Sequence, residues 1–402
     1  MEINYWLSLG MIPFTYGFVG WVTNWLALKM TFYPLHFWGI PPYLGWQGII
    51  PRKAHKMAVK AVDVITEKLM NVEQVFSRID PKEFEEKVYP LLKDSIRDST
   101  EKFGNSINED LWASIPVVIK NEIHATVERS SRSTMQNVIL SLRNKIANYI
   151  DVKGIVLHCL TGKNVGLVVE VFQSVGKPEF KFIERSGFYF GFILGLFQLV
   201  FWILYPIDWT LPVQGVIVGY LTNYLALNMI FRPLRPVTFF GIFTYQGLFL
   251  KRQSEVSREY SKIVATKILT PRNILEDILK GKASNDVTTI IEKSVMDQID
   301  RLTFLAKPVI YSTGQNEKFN LLKKELSDQM VVSVLNCMDE IEPFLEDALD
   351  LEKTMGDRMS ELSPLEFETV LRSAFQEDEL LLILVGALLG ALVGLGQMAF
   401  LL

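Results

Sequence analysis

GWVTNWLALKMTFYPL, residues 20–35, returns as GYLTNYLALNMIFRPL, residues 219–234. Gly20, Thr23, Asn24, Leu26, Ala27, Leu28, Met30, Phe32, Pro34 and Leu35 recur at a constant offset of 199, as Gly219, Thr222, Asn223, Leu225, Ala226, Leu227, Met229, Phe231, Pro233 and Leu234. The offset holds beyond the stretch. Gln47-Gly48 recurs as Gln246-Gly247, and Gly187, Gly191, Gly195 and Gln198 recur as Gly386, Gly390, Gly394 and Gln397. An ungapped match of this length at half the chain length of 402 residues reads as two tandem copies of one unit, and a repeat decides the architecture before any local pattern does.

The residues flanking the repeated stretch are apolar and those between the copies are not. Half the chain is hydrophobic and mean hydropathy is positive, yet a fifth of the residues are charged and concentrate between the apolar blocks. Four blocks are long enough to cross a bilayer at roughly 20 residues each: Tyr5–Phe32, Gly187–Tyr205, 213–231 and Leu380–Leu402. Trp6 fits an interfacial position, Pro13 a kink or helix start, and Lys29 a side chain that snorkels to the interface. Between the crossings, Met57, Ala61, Ile65, Leu69 and Val72 form one apolar stripe. Leu111, Ile115, Val118, Ile119, Ile123 and Val127 form a second, and Val138, Leu142, Ile146 and Ile150 a third. Spacing by three and four residues predicts amphipathic helices, with breaks at Asp80-Pro81 and Ile115-Pro116 and a loop near Gln315.

The expected fold is an all-α membrane protein of two tandem repeats, each a transmembrane helix, a helical soluble domain and a second transmembrane helix. Residues 1–53 hold the first helix and an interfacial loop, and 54–180 the first soluble domain. Residues 181–252 form a hairpin of helices two and three with a loop containing Asp208, 253–378 the second soluble domain, and 379–402 the last helix. The Pro- and Gly-rich loops at 32–53, with Pro41 and Pro42, and at 231–252 are interfacial or re-entrant, the latter only where protein or water satisfies the backbone. Lys and Arg gather on the side of the charged stretches, so the positive-inside rule places the helical domains in the cytoplasm of a multi-pass cell-membrane protein and both termini outside.

Candidate functional residues are sparse. Thr23, Asn24, Gln198, Thr222, Asn223 and Gln397 are polar groups in apolar helices; they either pack through buried hydrogen bonds or line a polar groove between the repeats. Gly187, Gly191, Gly195, Gly386, Gly390 and Gly394 are spaced for close helix approach. Arg52, Lys53, Lys56, Lys251 and Arg252 follow the loops and suit topology or anionic headgroups. Glu377, Asp378 and Glu379 favour the dipole at the start of the last helix. His36, His55, His124 and His158 lack metal spacing, Cys159 and Cys337 lie far apart, and the Thr161-Gly162-Lys163 fragment is not a phosphate loop. No metal, cofactor or catalytic constellation is expected, and the net charge of −4 gives no pull toward nucleic acid. The expected role is non-enzymatic, in membrane organisation, lipid handling or partner scaffolding, with membrane lipids and a cytoplasmic protein as partners; the rival is a transporter or channel-like protein.

The block GxxTNxLAxxMxFxPL, the downstream Gln-Gly followed by basic residues, and the GxxxGxxxGxxQ helix resemble a bacterial membrane-protein family, catalogued as domain of unknown function 445, with members in Bacillus. The resemblance implies an N-terminal helix, a helical soluble region and a closing C-terminal helix; it implies no activity. Pro51 becomes Leu250 in the second copy, so this proline has no strict role there.

Overall fold

In a computed structural model, the structure describes residues 2–40, 44–207, 209–239, 241, 243–304, 307–308, 316–372 and 379–401; for 2–9, 239, 243, 335 and 399–401 it describes the backbone alone. The side chain of Trp6 and the expectations at Pro41, Pro42, Asp208, Gln315, Glu377 and Asp378 lie outside the described residues. The chain is almost entirely helical. In order, it runs α1 (Glu2–Phe32), β1 (Trp38–Ile40), β2 (Leu44–Trp46), α2 (Ile49–Arg52), α3 (Ala54–Val64), α4 (Val72–Phe76), α5 (Pro81–Ile107), α6 (Glu109–Ser114), α7 (Val117–Arg143), α8 (Val152–Leu160), α9 (Val165–Val175) and α10 (Lys177–Leu204). It continues with α11 (Thr210–Phe231), β3 (Val237–Phe239), β4 (Phe243–Tyr245), α12 (Leu248–Lys251), α13 (Gln253–Ile263), α14 (Pro271–Lys280), α15 (Ser284–Leu302), α16 (Asn316–Asn336), α17 (Met338–Leu349), α18 (Leu351–Ser360), α19 (Pro364–Arg372) and α20 (Glu379–Leu401). The π-helical turns Ile65–Leu69 and Val264–Ile268 follow α3 and α13.

Two compact units result, and each draws on both halves of the chain. The first comprises Met1–Leu69, Val156–Ile263 and Met355–Leu402; the second comprises Met70–Ile155 and Val264–Thr354. The charged stretches read as two soluble domains, 54–180 and 253–378, are therefore divided differently. Their outer parts pack with the apolar helices and their middle parts form one helical unit. Local periodicity marks a buried face but carries no information about which distant face covers it.

The core of the first unit is a bundle of α1, α10, α11 and α20, in which α1 lies along α10 and α11 along α20. Glycines set both spacings. A Cβ on Gly20 would overlap the carbonyl oxygen of Gly187, and one on Gly219 would overlap that of Gly386. Backbones meet where larger residues would hold them apart. At one end, Ile12, Tyr16, Trp202, Leu211 and Val218 form a buried cluster. The outside of the bundle is as apolar as its inside. Leu380, Leu384, Leu388, Leu392 and Leu395 form an exposed stripe along α20, and Tyr189, Phe197 and Leu204 protrude from α10. Apolar surface on this scale needs a cover other than water.

Among the described residues, three helices are long and apolar enough to cross a membrane: α10, α11 and α20 over Glu379–Met398. A fourth span of that kind exists only if α8 and Gly162–Val175, bent by 59°, count as one. α1, the expected first crossing, is not among them. Its 31 residues include Tyr, Trp, Thr, Asn and Lys side chains that dilute its apolar character.

The Pro- and Gly-rich loops contain strands that their composition does not announce. β1 pairs antiparallel with β2, Trp38 opposite Trp46, and β3 with β4, Val237 opposite Tyr245. Each hairpin is tied to the preceding helix and loop. Gln47 Nε2 donates to the Leu35 carbonyl at 2.8 Å, and Gln246 Nε2 to the Leu234 carbonyl at 3.0 Å. Trp46 Nε1 donates to Met30 O, and the Tyr245 hydroxyl to Met229 O. The repeated Gln-Gly pair is thus a loop clasp, with glycine needed because a Cβ at Gly48 or Gly247 would strike the end of the preceding helix.

The second unit contains the long amphipathic helices. Asp80 Oδ1 accepts from the amides of Lys82 and Glu83, and Pro81 opens α5 with its fixed φ. Asn108 caps α6, Pro116 precedes α7, and Thr270 with Pro271 starts α14. α5 packs on α7 and α16, and α15 on α7 and α16. α7 runs for 27 residues and buries none of them.

Candidate functional site

α7 buries nothing because its apolar face looks into a void. The second unit encloses a cavity of about 670 Å³ walled by α5, α7, α14, α15, α16 and α17. This lies within the usual size range of ligand sites, roughly 300–1,000 Å³. Lining positions on α5 run from Phe84 to Ile107, a length of roughly 35 Å at the helical rise of 1.5 Å per residue. The cavity is consequently long and narrow. Its wall is mostly Ile, Leu, Val and Phe. Ser131 and Gln298 face it as a mutually satisfied pair, with Gln298 Nε2 donating to Ser131 Oγ at 2.9 Å. Among the described residues, Arg143 is the one charged residue that lines it.

The far end of the wall is held by a polar cluster. Glu101 accepts from Trp112 Nε1 and bonds His124 Nε2, each at 2.8 Å, and Lys120 sits 5.3 Å over the Trp112 ring. The Glu101 carboxyl falls below the usual carboxylate range, first through the indole bond and then through His124. Trp112 is thereby fixed as part of the cavity lining. Beside it, Leu111, Val117, Val118 and Ile119 are exposed, Val118 by 79 %.

Two of the stripes read from the sequence therefore line a cavity: Ile123, Val127, Val138 and Leu142 all face it. Arg143 has no distinguishing sequence signal, since one arginine at a helix end is ordinary.

The polar residues of the bundle lie elsewhere, in the first unit. Asn24 Nδ2 donates to the Ile183 carbonyl at 2.6 Å, and Asn223 Nδ2 to the Leu382 carbonyl at 2.9 Å, each reaching 159 residues along the chain. Thr23 and Thr222 bond the carbonyls of Gly20 and Gly219 within their own helices. All four are buried. The asparagines thus join the same helix pairs that the glycines bring together, by direct contact with backbone. Gln198 differs. It is buried, and neither its amide oxygen nor its nitrogen has a partner among the described residues; Gln397 Oε1 is likewise unpaired.

Of the basic residues after the hairpins, Arg52, Lys56 and Lys251 are exposed and Lys53 half-buried. Arg252 turns inward. Its Nη1 donates to the buried Glu179 at 2.7 Å and its Nε to Glu255 at 2.7 Å, so it serves the fold. Glu379 also has a specific partner: Arg372 binds it through two nitrogens at 2.9 and 3.0 Å and reaches Glu368 at 2.9 Å. Those carboxylates, Glu379 foremost, raise the Arg372 pKa further above its already high value.

Helices long and apolar enough to span a membrane, packed through glycines, define the class: an all-α membrane protein. Residues 17–154 match the family described as "Protein of unknown function (DUF445)", the family to which the sequence motifs point. Among curated proteins the chain is similar to UPF0754 membrane proteins. It is 36% identical to one of Bacillus velezensis over 84 residues, 20% of this chain and 22% of the relative. It is 27% identical to one of Listeria welshimeri over 145 residues, 34% and 38% of the two chains. To one of Listeria innocua it is 29% identical over 157 residues, 38% of each. The chain spans well under half the length of these relatives. No solved structure matches it.

Proposed function

We propose that the protein is a non-enzymatic, multi-pass protein of the cell membrane, built from two tandem repeats, that handles lipid. The apolar helices anchor the chain and the helical unit, in the cytoplasm, holds an acyl chain in its cavity. The cavity carries this reading: a long apolar void, walled by aliphatic side chains, on a chain that is itself a membrane protein. Among lipid handling, membrane organisation and partner scaffolding, the first explains why an amphipathic helix of 27 residues leaves its apolar face uncovered. The basic residues Arg52, Lys56 and Lys251 favour a cytoplasmic placement of the edge that bears them.

A transporter or channel-like role draws support from Gln198, a buried amide with both polar atoms unpaired among the described residues. The asparagines and threonines favour packing, since each already bonds a backbone carbonyl.

Native mass spectrometry of the full chain, gently extracted from its own membrane, tests lipid handling. The expected result is one stoichiometric acyl-bearing lipid, lost from a folded variant in which Val127→Trp and Val138→Phe fill the cavity. An empty wild-type protein, or equal lipid retention by the filled variant, contradicts the reading.

A further inference from the structure

The cavity has two unlike ends, and the difference points to the polarity of its ligand. α5 and α7 pack side by side, and Arg143 at the end of α7 donates from Nη1 to the carbonyl of Ile79, just before α5 begins, at 3.2 Å. The two helices are therefore antiparallel. One end of the cavity is formed by Ile79, Arg143 and Ile146; the other by Gly104, Leu111 and Trp112. The second end is rimmed by exposed aliphatic residues beside the Glu101 carboxylate, His124 and Lys120 that hold Trp112; the first is rimmed by a guanidinium.

Arg143 is half-buried and has no ion pair among the described residues. The hydrogen bond to Ile79 occupies one of the five N–H donors of a guanidinium. Asp80 is near enough for its carboxyl to be lowered partly by Arg143, but chiefly its Oδ1 serves the amides of Glu83 and Lys82 at the start of α5. A cation with spare donors on an otherwise uncharged, largely apolar wall presents the fork geometry that suits a carboxylate or phosphate.

We propose that Arg143 is the headgroup subsite of this cavity, so that its ligand is an anionic amphiphile lying with its acid group at Arg143 and its chain toward Trp112. This rests on the lipid-handling reading and adds to it the charge and the direction of the ligand. A neutral lipid of equal length fills the same apolar length but leaves the guanidinium unanswered.

The full chain held in amphipol, loaded with the fluorescent fatty acid cis-parinarate, provides the test. Oleate and its neutral counterpart oleyl alcohol are titrated as competitors against the wild type, Arg143→Gln and Arg143→Lys. Oleate is expected to compete about tenfold or more better than oleyl alcohol in the wild type, as a charge-assisted hydrogen bond allows. Arg143→Gln should abolish the difference by weakening oleate alone, and Arg143→Lys should keep most of it. Equal competition by oleate and oleyl alcohol in the wild type overturns the subsite while leaving a lipid cavity standing. A wild type that binds parinarate no better than the variant with Val127→Trp and Val138→Phe overturns the lipid reading itself. A preference for oleate that survives Arg143→Gln places the anion elsewhere and also overturns the assignment.

Discussion

The bundle and the cavity-bearing unit are made of the same material, long helices with an apolar face, and they resolve it in opposite ways. In the bundle, glycines let backbones touch and an asparagine locks each pair, so that Gly20 meets Gly187 and Gly219 meets Gly386. In the second unit, α5, α7 and α15 carry larger aliphatic residues at the facing positions. These hold the helices apart without filling the space between them, and a void of about 670 Å³ remains. Helix packing thus depends on the sizes of the facing residues as well as on their polarity. Where facing residues are small the interface closes, and where they are branched and medium-sized it can stay open.

That contrast can be broken most severely in the bundle. Gly20→Ala or Gly219→Ala places a Cβ on a carbonyl oxygen, so the helix pair must separate. The expected loss is about 3 kcal/mol or more, at the upper end of overpacking effects. Gly10→Ala, which meets nothing within 4 Å, should leave the thermal transition in place. Thermal unfolding in mild detergent compares the three; equal transitions for all would contradict the close approach.

The asparagines come next. Asn223→Ala should cost about 1–3 kcal/mol, because it leaves the Leu382 carbonyl without the buried donor it now has. Asn24→Ala should cost no more, since the Asn24 amide oxygen has no partner to lose among the described residues. A loss of transport or growth with unchanged stability in either variant would instead favour the groove.

The cavity predicts the opposite sign for added volume. Val127→Phe puts carbon into empty space and should stabilise the ligand-free protein by about 1 kcal/mol, within the range of cavity-filling substitutions. Destabilisation there would mean that the wall already touches something. The smallest effect is one of pH. The Glu101 carboxyl is held below its ordinary value by Trp112 and then His124, so its contribution is complete above the unfolded value of about 4.3. It is lost as pH falls through the lower folded value. Thermal scans should be level in this respect from pH 7 to 5 and decline below about pH 4, and Glu101→Gln should remove part of that decline.

What the sequence discloses follows the same division. The glycine ladder and its repeat announce close packing, because glycine at every fourth position has few other uses in an apolar helix. The asparagine bonds follow from the cost of an unsatisfied amide in such a setting. The breaks at Asp80-Pro81 and Ile115-Pro116 fall where helices α5 and α7 begin. The cavity was not legible, although Ile123, Val127, Val138 and Leu142 stand out as apolar stripes. A stripe shows that a face avoids water; whether partners fill it depends on the summed volumes of helices more than 200 residues apart. The hairpins at Trp38–Trp46 and Val237–Tyr245 escaped for a different reason. Three-residue strands among prolines and glycines are too short to show alternation.

The most direct measurement is photocrosslinking of the full chain with a diazirine-bearing fatty acid, followed by peptide mapping of the adducts. Adducts on the cavity faces of α5, α7 and α15, removed when Val127→Trp and Val138→Phe fill the cavity, are the predicted result. Adducts confined to the exposed faces of α10, α11 and α20, unchanged by that variant, would show that lipid meets this protein only as solvent for its anchor.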